Sequence, residues 1–313
     1  MNTSVANPAP IAATAGLAAP DLAGLEPIEK IRRRWPALLG ALLSLLMIAG
    51  LAHELFDKGL AGLSQMAPSS WVFYLFFALF YLGPPTFDYV IFRRLWQIPP
   101  SGMVALHRKR IANEVVLGYS GEAYFYAWAR QRTQMVAAPF GAVKDVSILS
   151  AIAGNAITLA MLALALPLAT ELLTPAQFNT ALVSIGIMVA MSLPFLIFSK
   201  RVFSLPRATL WWVFGIHALR LVLGSMLIAC AWHFAMPDVS IGMWLILAAA
   251  RMLVSRLPFV PNKDLLFANF AIILIGQGQA LSELLAFTAA LTLLVHVVLF
   301  AGFGLLGLIR KEI

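Results

Sequence analysis

The sequence predicts an all-α integral membrane protein with about eight transmembrane helices and two re-entrant or broken helical segments. Of its 313 residues, 61% are hydrophobic and only 12% are Asp, Glu, Lys or Arg. A soluble domain carries roughly 25% charged residues. The mean hydropathy is +0.87, and the apolar residues are concentrated in long runs. Together these observations exclude a soluble enzyme, a disordered chain and a coiled coil.

The first 29 residues differ in composition from the rest of the chain. They contain no Lys or Arg and are rich in Ala and Pro. A signal peptide needs a basic region followed by an apolar region, and this segment has neither. We expect a disordered cytoplasmic tail over residues 1–29, followed by one polytopic membrane domain over residues 30–313.

The membrane domain contains the apolar runs that predict its helices. A helix needs about 20 apolar residues to cross the roughly 30 Å of hydrocarbon in a bilayer. The runs that qualify are 36–52, 71–92, 146–168, 180–199, 209–232, 240–257, 264–283 and 284–309. The sequence thus predicts about eight spans and leaves no room for a large soluble domain.

The basic residues give the orientation of these spans. Of the 22 Lys and Arg residues, 19 lie in every second loop or at the termini, one lies in the alternate loops, and two lie within spans. The alternate loops carry mostly acidic residues. Because cytoplasmic loops are enriched in Lys and Arg, we expect both termini in the cytoplasm and a location in a bacterial-type inner membrane.

The first interrupted segment covers residues 107–132 and is neither a span nor an ordinary loop. Between Ile111 and Ala129 it mixes acidic and amide side chains with large apolar ones, and a Gly-Tyr-Ser-Gly turn divides it. Irregular backbone at membrane depth is tolerated when it is buried in protein or lines a wet cavity. We expect two short helices that form a re-entrant hairpin. The alternative is an amphipathic helix on the membrane surface, with Tyr126 and Trp128 at headgroup level.

The second interrupted segment covers residues 254–279. Pro258 and Pro261 stop helix propagation, and uninterrupted apolar residues resume only from about Leu265 to Ile275. Eleven residues extend about 16 Å as a helix, which is half of the hydrocarbon thickness. The Gly-Gln-Gly-Gln sequence at 276–279 then leaves two alternatives, a kinked full span or a half-helix followed by a turn. Two broken helices are typical of a transporter binding site.

The stretch from Asn113 to Glu122, NEVVLGYSGE, resembles the flippase-like membrane domain of lysylphosphatidylglycerol synthases. Asn113 and the Gly121-Glu122 pair match the pattern of that family, and Gly118-Tyr119-Ser120 replaces its Pro-containing turn. The later sequence LPFVP at 257–261 resembles the second Pro-rich break of the family. The resemblance implies two facing re-entrant elements around a cavity that passes an amphiphilic lipid between leaflets. The soluble aminoacyl-transferase domain of the synthases does not follow, so we expect no lipid aminoacylation.

Two arginines lie inside predicted spans, Arg220 and Arg251. Counted along their helices they are about 18 Å and 16 Å deep, near the midplane of the bilayer. A charge at this depth costs at least about 2.5–3.5 kcal/mol, so each needs a partner or water. Two interpretations stay open: neutralisation by acids, with Glu122, Glu114 and Asp88 as candidates, or binding of a lipid phosphate, for which the planar guanidinium is well suited.

The sequence lacks the usual signs of other chemistry. Cys230 is the single cysteine, which excludes a disulfide within the chain, and the five histidines show no zinc-ligand spacing. There is no phosphate-binding loop for ATP and no assignable pair of general acid and base. We expect neither cofactor nor metal, no nucleic acid partner, and a protein that is not an enzyme.

The function we expect is translocation, or lateral delivery, of a polar-headed and phosphate-bearing lipid. The headgroup would enter from the cytoplasmic side past Arg108, Lys109 and Arg110. The expected partners are membrane lipids with anionic or zwitterionic headgroups, and enzymes of lipid synthesis or envelope assembly. The alternatives are a transferase acting on a lipid-linked substrate of envelope glycolipid or polysaccharide synthesis, and a structural scaffold. The candidate substrate-binding residues are Asn113, Glu114, Tyr119, Glu122, Arg220 and Arg251.

Overall fold

The computed structural model describes residues 35–57, 67–116, 119–132, 139–172, 202–256 and 278–310, with isolated residues at 183–193, 267 and 271–272. Within these ranges every regular element is a helix. The helices are α1 (Trp35–Asp57), α2 (Trp71–Trp96), α3 (Gly102–Val115), α4 (Ser120–Arg132), α5 (Pro139–Leu172), α6 (Arg207–Ala235), α7 (Ile241–Arg256) and α8 (Gly278–Arg310).

Four segments of the described helices are long and apolar enough to cross a membrane: Trp71–Trp96, Phe140–Met161, Arg207–Ala235 and Gln279–Leu306. They coincide with four of the predicted spans, which confirms an all-α, multi-pass membrane protein. The predicted spans 180–199 and 264–283 lie mostly outside the described residues, as does the tail over 1–29, so the number of eight spans stays a prediction. Helix α7 is shorter, with 16 residues. Helix α8 already begins at Gly278, within the Gly-Gln-Gly-Gln sequence.

Helices α2 and α6 form the centre of the bundle and run antiparallel. Phe76, near the start of α2, stacks on Phe234 at the end of α6 with ring centroids 5.6 Å apart. At the opposite end of the pair, the guanidinium of Arg94 lies 4.3 Å from the ring centroid of Trp212. Trp71 and Trp211 are each 72% exposed, one at either end of this pair. Exposed tryptophans at both ends of apolar helices are typical of the two interfaces of a bilayer.

The buried apolar residues form two clusters, and each occupies one end of the bundle. One includes Ile91, Phe92 and Val213, together with residues of α3, α4 and α5. The other includes Phe73, Phe77 and Trp232, together with residues of α7 and α8. The middle parts of α2 and α6 belong to neither cluster. A group of polar side chains of the interior meets here.

Helices α3 and α4 pack against each other as a hairpin, as the Gly-Tyr-Ser-Gly turn predicted. Tyr119 has a φ angle of 71°, in the left-handed region that reverses the chain. At Gly121 the two helices approach so closely that a Cβ atom there would lie 2.0 Å from the backbone oxygen of Lys109. The hairpin also contacts α1, α2 and α5.

The interior of the hairpin is apolar and well buried. Trp128 is only 6% exposed, and its ring stacks on Phe125 at 5.6 Å. This burial does not fit the alternative of a surface helix with Trp128 at headgroup level. The depth of the hairpin in a membrane stays a prediction.

Candidate functional site

The site begins at a break in α2, where Pro84 and Pro85 lie inside the helix. Proline has no backbone N–H, so Pro85 leaves the carbonyl oxygen of Tyr81 without its helical partner. Arg110 of α3 donates a hydrogen bond to that oxygen through Nη1. Its guanidinium carbon also lies 4.2 Å from the ring centroid of Tyr81. The sequence of α2 therefore creates an acceptor that fixes α3 against the break.

One turn further along α2, Asp88 is buried between two cations. Its Oδ2 accepts a hydrogen bond from Lys109 Nζ at 2.6 Å, and its Oδ1 accepts one from Arg220 Nη1 at 3.1 Å. Arg220 Nη2 also donates to Ser150 Oγ of α5 at 2.8 Å. This one carboxylate thus joins α2, α3 and α6, and through Arg220 also α5. Of the three acids considered for Arg220, Asp88 is the one that pairs with it.

Glu122 of α4 lies on the other side of Lys109, with Oε1 at 3.4 Å from Nζ. Its second oxygen, Oε2, is buried and has no hydrogen-bond partner among the described residues. The carboxylates of Asp88 and Glu122 thus lie on either side of the Lys109 ammonium group. Lys109 is buried and lies in the interior rather than at an exposed entrance, which corrects the expectation for this residue.

A second ion pair continues the polar region toward α8. Glu114 binds Arg110 through Oε1, at 2.7 Å from Nε, and its Oε2 lies 3.2 Å from His296 Nε2. Arg108, also expected at the entrance, instead donates to the carbonyl oxygen of Phe303 in α8 at 3.2 Å. The three consecutive bases of α3 thus contact three different parts of the interior.

Asn113 has a defined amide orientation, because its partner can only donate. Its Oδ1 accepts the backbone N–H of Gly121 at 2.7 Å. Ser120 Oγ closes the same turn by donating to the carbonyl oxygen of Ala112 at 2.8 Å. The matched residues of the Asn-to-Gly-Glu pattern therefore shape the α3–α4 hairpin, and Glu122 follows directly on it.

These polar side chains surround a cavity of about 210 Å³. The side chains that give it charge are Asp88, Lys109, Arg110, Glu114, Glu122 and Arg220, and Asn113, Ser147, Ser150 and His217 add neutral polar groups. Three acids face three bases, so the formal charges in the cavity cancel. Arg220 lies 13 residues from one end of α6 and 15 from the other, or roughly 20 Å from each. The cavity is therefore near the middle of the apolar helices.

A second and larger cavity adjoins the first. It is a groove of about 790 Å³ between α2, α6 and α7, and Pro84 and Arg220 line both spaces. Arg251 lines this groove, and its guanidinium carbon lies 5.9 Å from the ring centroid of Phe80. The remaining lining is mainly apolar.

Five of the six candidate residues therefore line one of these two neighbouring spaces. Asn113, Glu114, Glu122 and Arg220 line the polar cavity, and Arg251 lines the groove. Tyr119 is 65% exposed in the hairpin turn and lines neither. Most of the second interrupted segment, 254–279, lies outside the described residues, so whether it faces the hairpin stays a prediction.

The central pairing of Asp88 with Lys109 was missed from the sequence. From the sequence, Asp88 is one of three possible partners of the buried arginines, and Lys109 is part of a basic entrance. The signal that could have identified Asp88 is its position one turn after Gly-Pro-Pro in a span, where an acid is costly and needs a partner.

Comparisons with family models, with curated proteins and with solved structures find no match to this chain. Within the described residues, no group of three or more His, Cys, Asp or Glu side chains is placed to hold a metal ion.

Proposed function

We propose that this protein binds a phosphate-bearing membrane lipid in the polar cavity and moves or delivers it between the leaflets. The observation that carries the proposal is a cavity with three basic and three acidic side chains at the middle of apolar helices, beside an apolar groove that shares Pro84 and Arg220 with it. Buried ionisable groups in membrane helices are costly and commonly mark a substrate pathway. An amphiphile fits both spaces at once, because its headgroup and its hydrocarbon need opposite environments.

The chemistry of the cavity suits a phosphate ester. Arg220 offers a planar guanidinium, which binds phosphate in a bidentate manner better than an ammonium group does. In the absence of a ligand, Asp88 occupies it. A lipid phosphate would replace this carboxylate as the partner of Arg220 and Lys109. Glu122 Oε2 and the amide nitrogen of Asn113 would be available to the polar remainder of the headgroup.

The size of the cavity limits the headgroup. The polar cavity has a volume of about 210 Å³. This fits a phosphate with a small alcohol or amine rather than a lipid-linked oligosaccharide. The size thus favours lipid movement over a transferase acting on polysaccharide precursors. We place the protein in a bacterial-type inner membrane with both termini cytoplasmic, near enzymes of lipid synthesis or envelope assembly.

A scaffold is the second candidate, because the pairing of Arg220 with Asp88 and Ser150 also stabilises the bundle. An assay with purified protein in vesicles of phosphatidylethanolamine and phosphatidylglycerol distinguishes lipid transport from a scaffold role. The probe is phosphatidylglycerol labelled with a fluorophore on its chain, and dithionite quenches the outer leaflet. We expect the protein to speed exchange of the probe between leaflets.

Two variants make this assay specific. Arg220→Lys keeps a cation beside Asp88 but loses the planar guanidinium that can donate two parallel hydrogen bonds to a phosphate. Because a hydrogen bond to a charged group is worth about 1.5–3 kcal/mol, we expect exchange to slow about 10- to 100-fold. Arg207→Gln, at the exposed start of the same helix, is the control and should behave like the unmodified protein. If vesicles with the unmodified protein exchange lipid no faster than empty vesicles, or Arg220→Lys has no effect, the proposal is wrong.

A further inference from the structure

The groove beside the polar cavity has the form of a hydrocarbon-binding site. Its walls come from three helices and are formed mainly by Leu79, Phe80, Phe87, Leu223, Leu227 and Met252. Charged groups lie at Arg220 and Arg251. The lining of the groove is therefore mainly apolar, with two cations, Arg220 and Arg251. Its volume of about 790 Å³ is nearly four times that of the polar cavity, which is about 210 Å³.

The length of the groove matches part of a lipid chain. Its lining extends from Leu79 to Phe87 along α2 and from Arg220 to Ile228 along α6. Each stretch covers nine residues, whose first and last Cα atoms are about 12 Å apart along the helix axis. Half of the hydrocarbon thickness of a bilayer is about 15 Å. An extended chain that starts at Arg220 would lie in the half of the membrane opposite the basic end of α6.

Two glycines keep the groove open. A Cβ atom added at Gly83 of α2 or at Gly224 of α6 would meet no heavy atom within 4 Å. Both glycines line the groove. A Cβ atom at either position would therefore lie in open space, and a larger side chain there would occupy part of the groove.

We propose that this groove binds one acyl chain of the lipid whose phosphate lies at Arg220, so that chain and headgroup are bound by one continuous site. This inference rests on the proposed function and adds a binding site for the hydrocarbon chain to it. Arg220 and Pro84 line both spaces, so the phosphate and the first part of the chain meet at the same two residues. In this arrangement the headgroup lies at mid-depth while the chain still points away from the basic end.

The test fills the groove and measures lipid binding. Gly224→Leu places a side chain in the groove. Gly215→Leu is the matched control, because a Cβ atom at Gly215 would also meet no heavy atom within 4 Å, but Gly215 does not line the groove. Nine residues at 3.6 residues per turn place the two glycines on opposite faces of α6. Native mass spectrometry then measures how much dioleoyl phosphatidylglycerol each purified variant retains.

We expect Gly224→Leu to retain at least tenfold less of this lipid, and Gly215→Leu to retain as much as the unmodified protein. If Gly224→Leu retains as much lipid as the unmodified protein while Arg220→Gln loses it, the chain site is wrong and the headgroup site stands. If neither variant loses lipid, the proposed function fails as well.

A second measurement does not depend on the stability of the variant. Phosphatidylglycerol with a photoreactive diazirine near the end of one chain is bound to the unmodified protein and irradiated. We expect cross-links within residues 79–87 and 220–228, and we expect Arg220→Gln to abolish them. Cross-links spread evenly over the exposed faces of all helices would show only surrounding lipid and would overturn the inference.

Discussion

The pairing of Asp88 with Lys109 is the feature whose removal has the most distinctive consequence. The ions Asp88, Lys109, Glu122 and Arg220 lie within one chain of contacts and have a net charge of zero. Asp88→Asn changes this to +1, and Lys109→Met changes it to −1. The double variant returns the group to zero. A double-mutant cycle on these two residues therefore tests whether the cluster acts as a neutral unit.

The magnitude follows from the burial of both groups, whose side chains are only 9% and 11% exposed. Removing one partner of a buried ion pair costs about 3–5 kcal/mol, because the other charge stays buried without compensation. If the two losses were independent, the double variant would lose about 6–10 kcal/mol of unfolding free energy. Since the double variant leaves no net charge, we expect it to be more stable than this sum by about 2–3 kcal/mol, within the range of coupling between contacting residues.

The assay is unfolding of the purified protein in detergent micelles, titrated with denaturant and followed by tryptophan fluorescence. The control is Glu283→Gln, which alters an exposed hydrogen bond to Gln279 and should change the unfolding free energy by no more than about 0.5 kcal/mol. Losses that simply add in the double variant would refute the neutral cluster. So would a single variant as stable as the unmodified protein.

Two further predictions concern the elements that support the site. Gly121→Ala places a Cβ atom 2.0 Å from the backbone oxygen of Lys109. We expect this contact to force the hairpin apart and to lower the unfolding free energy by about 3 kcal/mol. Gly215→Ala is the control, and its unfolding free energy should not fall in the same titration. Asp145→Ala removes the carboxylate that accepts hydrogen bonds from the backbone N–H groups of Ser204 and Leu205, at 2.6 and 2.8 Å, just before α6. We expect the unfolding free energy to fall by about 3 kcal/mol. Hydrogen exchange should increase first at the start of α6. Unchanged exchange there would contradict this role.

The sequence predicted the helices because their causes are local. A run of apolar residues, a turn with two glycines, and a helix interrupted by prolines can each be recognised within about 20 residues. The hairpin of α3 and α4 was predicted for this reason, with its turn at Tyr119. The position of Arg220 near the middle of its helix was also predictable, because it follows from the bounds of the apolar run.

The partners of the buried charges were not predictable to the same degree. Whether Asp88 faces Arg220 depends on the rotation of α2 about its axis. Whether Lys109 turns inward depends on how α3 packs against α2 beside Pro84 and Pro85. These are properties of three helices together, and a single sequence does not state them. A buried acid one turn after a proline pair can be noticed, but its partner has to be found in space.

The neutral cluster also explains how a buried guanidinium is stable near the middle of apolar helices. An isolated guanidinium there would be costly, and the ion pair with Asp88 offsets that cost. A lipid phosphate that replaces Asp88 leaves this carboxylate without its partners, so binding is weakened by the free energy of the internal ion pair. A carrier needs such weakening, since a lipid bound by fully unpaired arginines would not be released. The pairing of Arg220 is thus compatible with transport, and the effect of Arg220→Lys on lipid exchange decides whether it serves transport or stability alone.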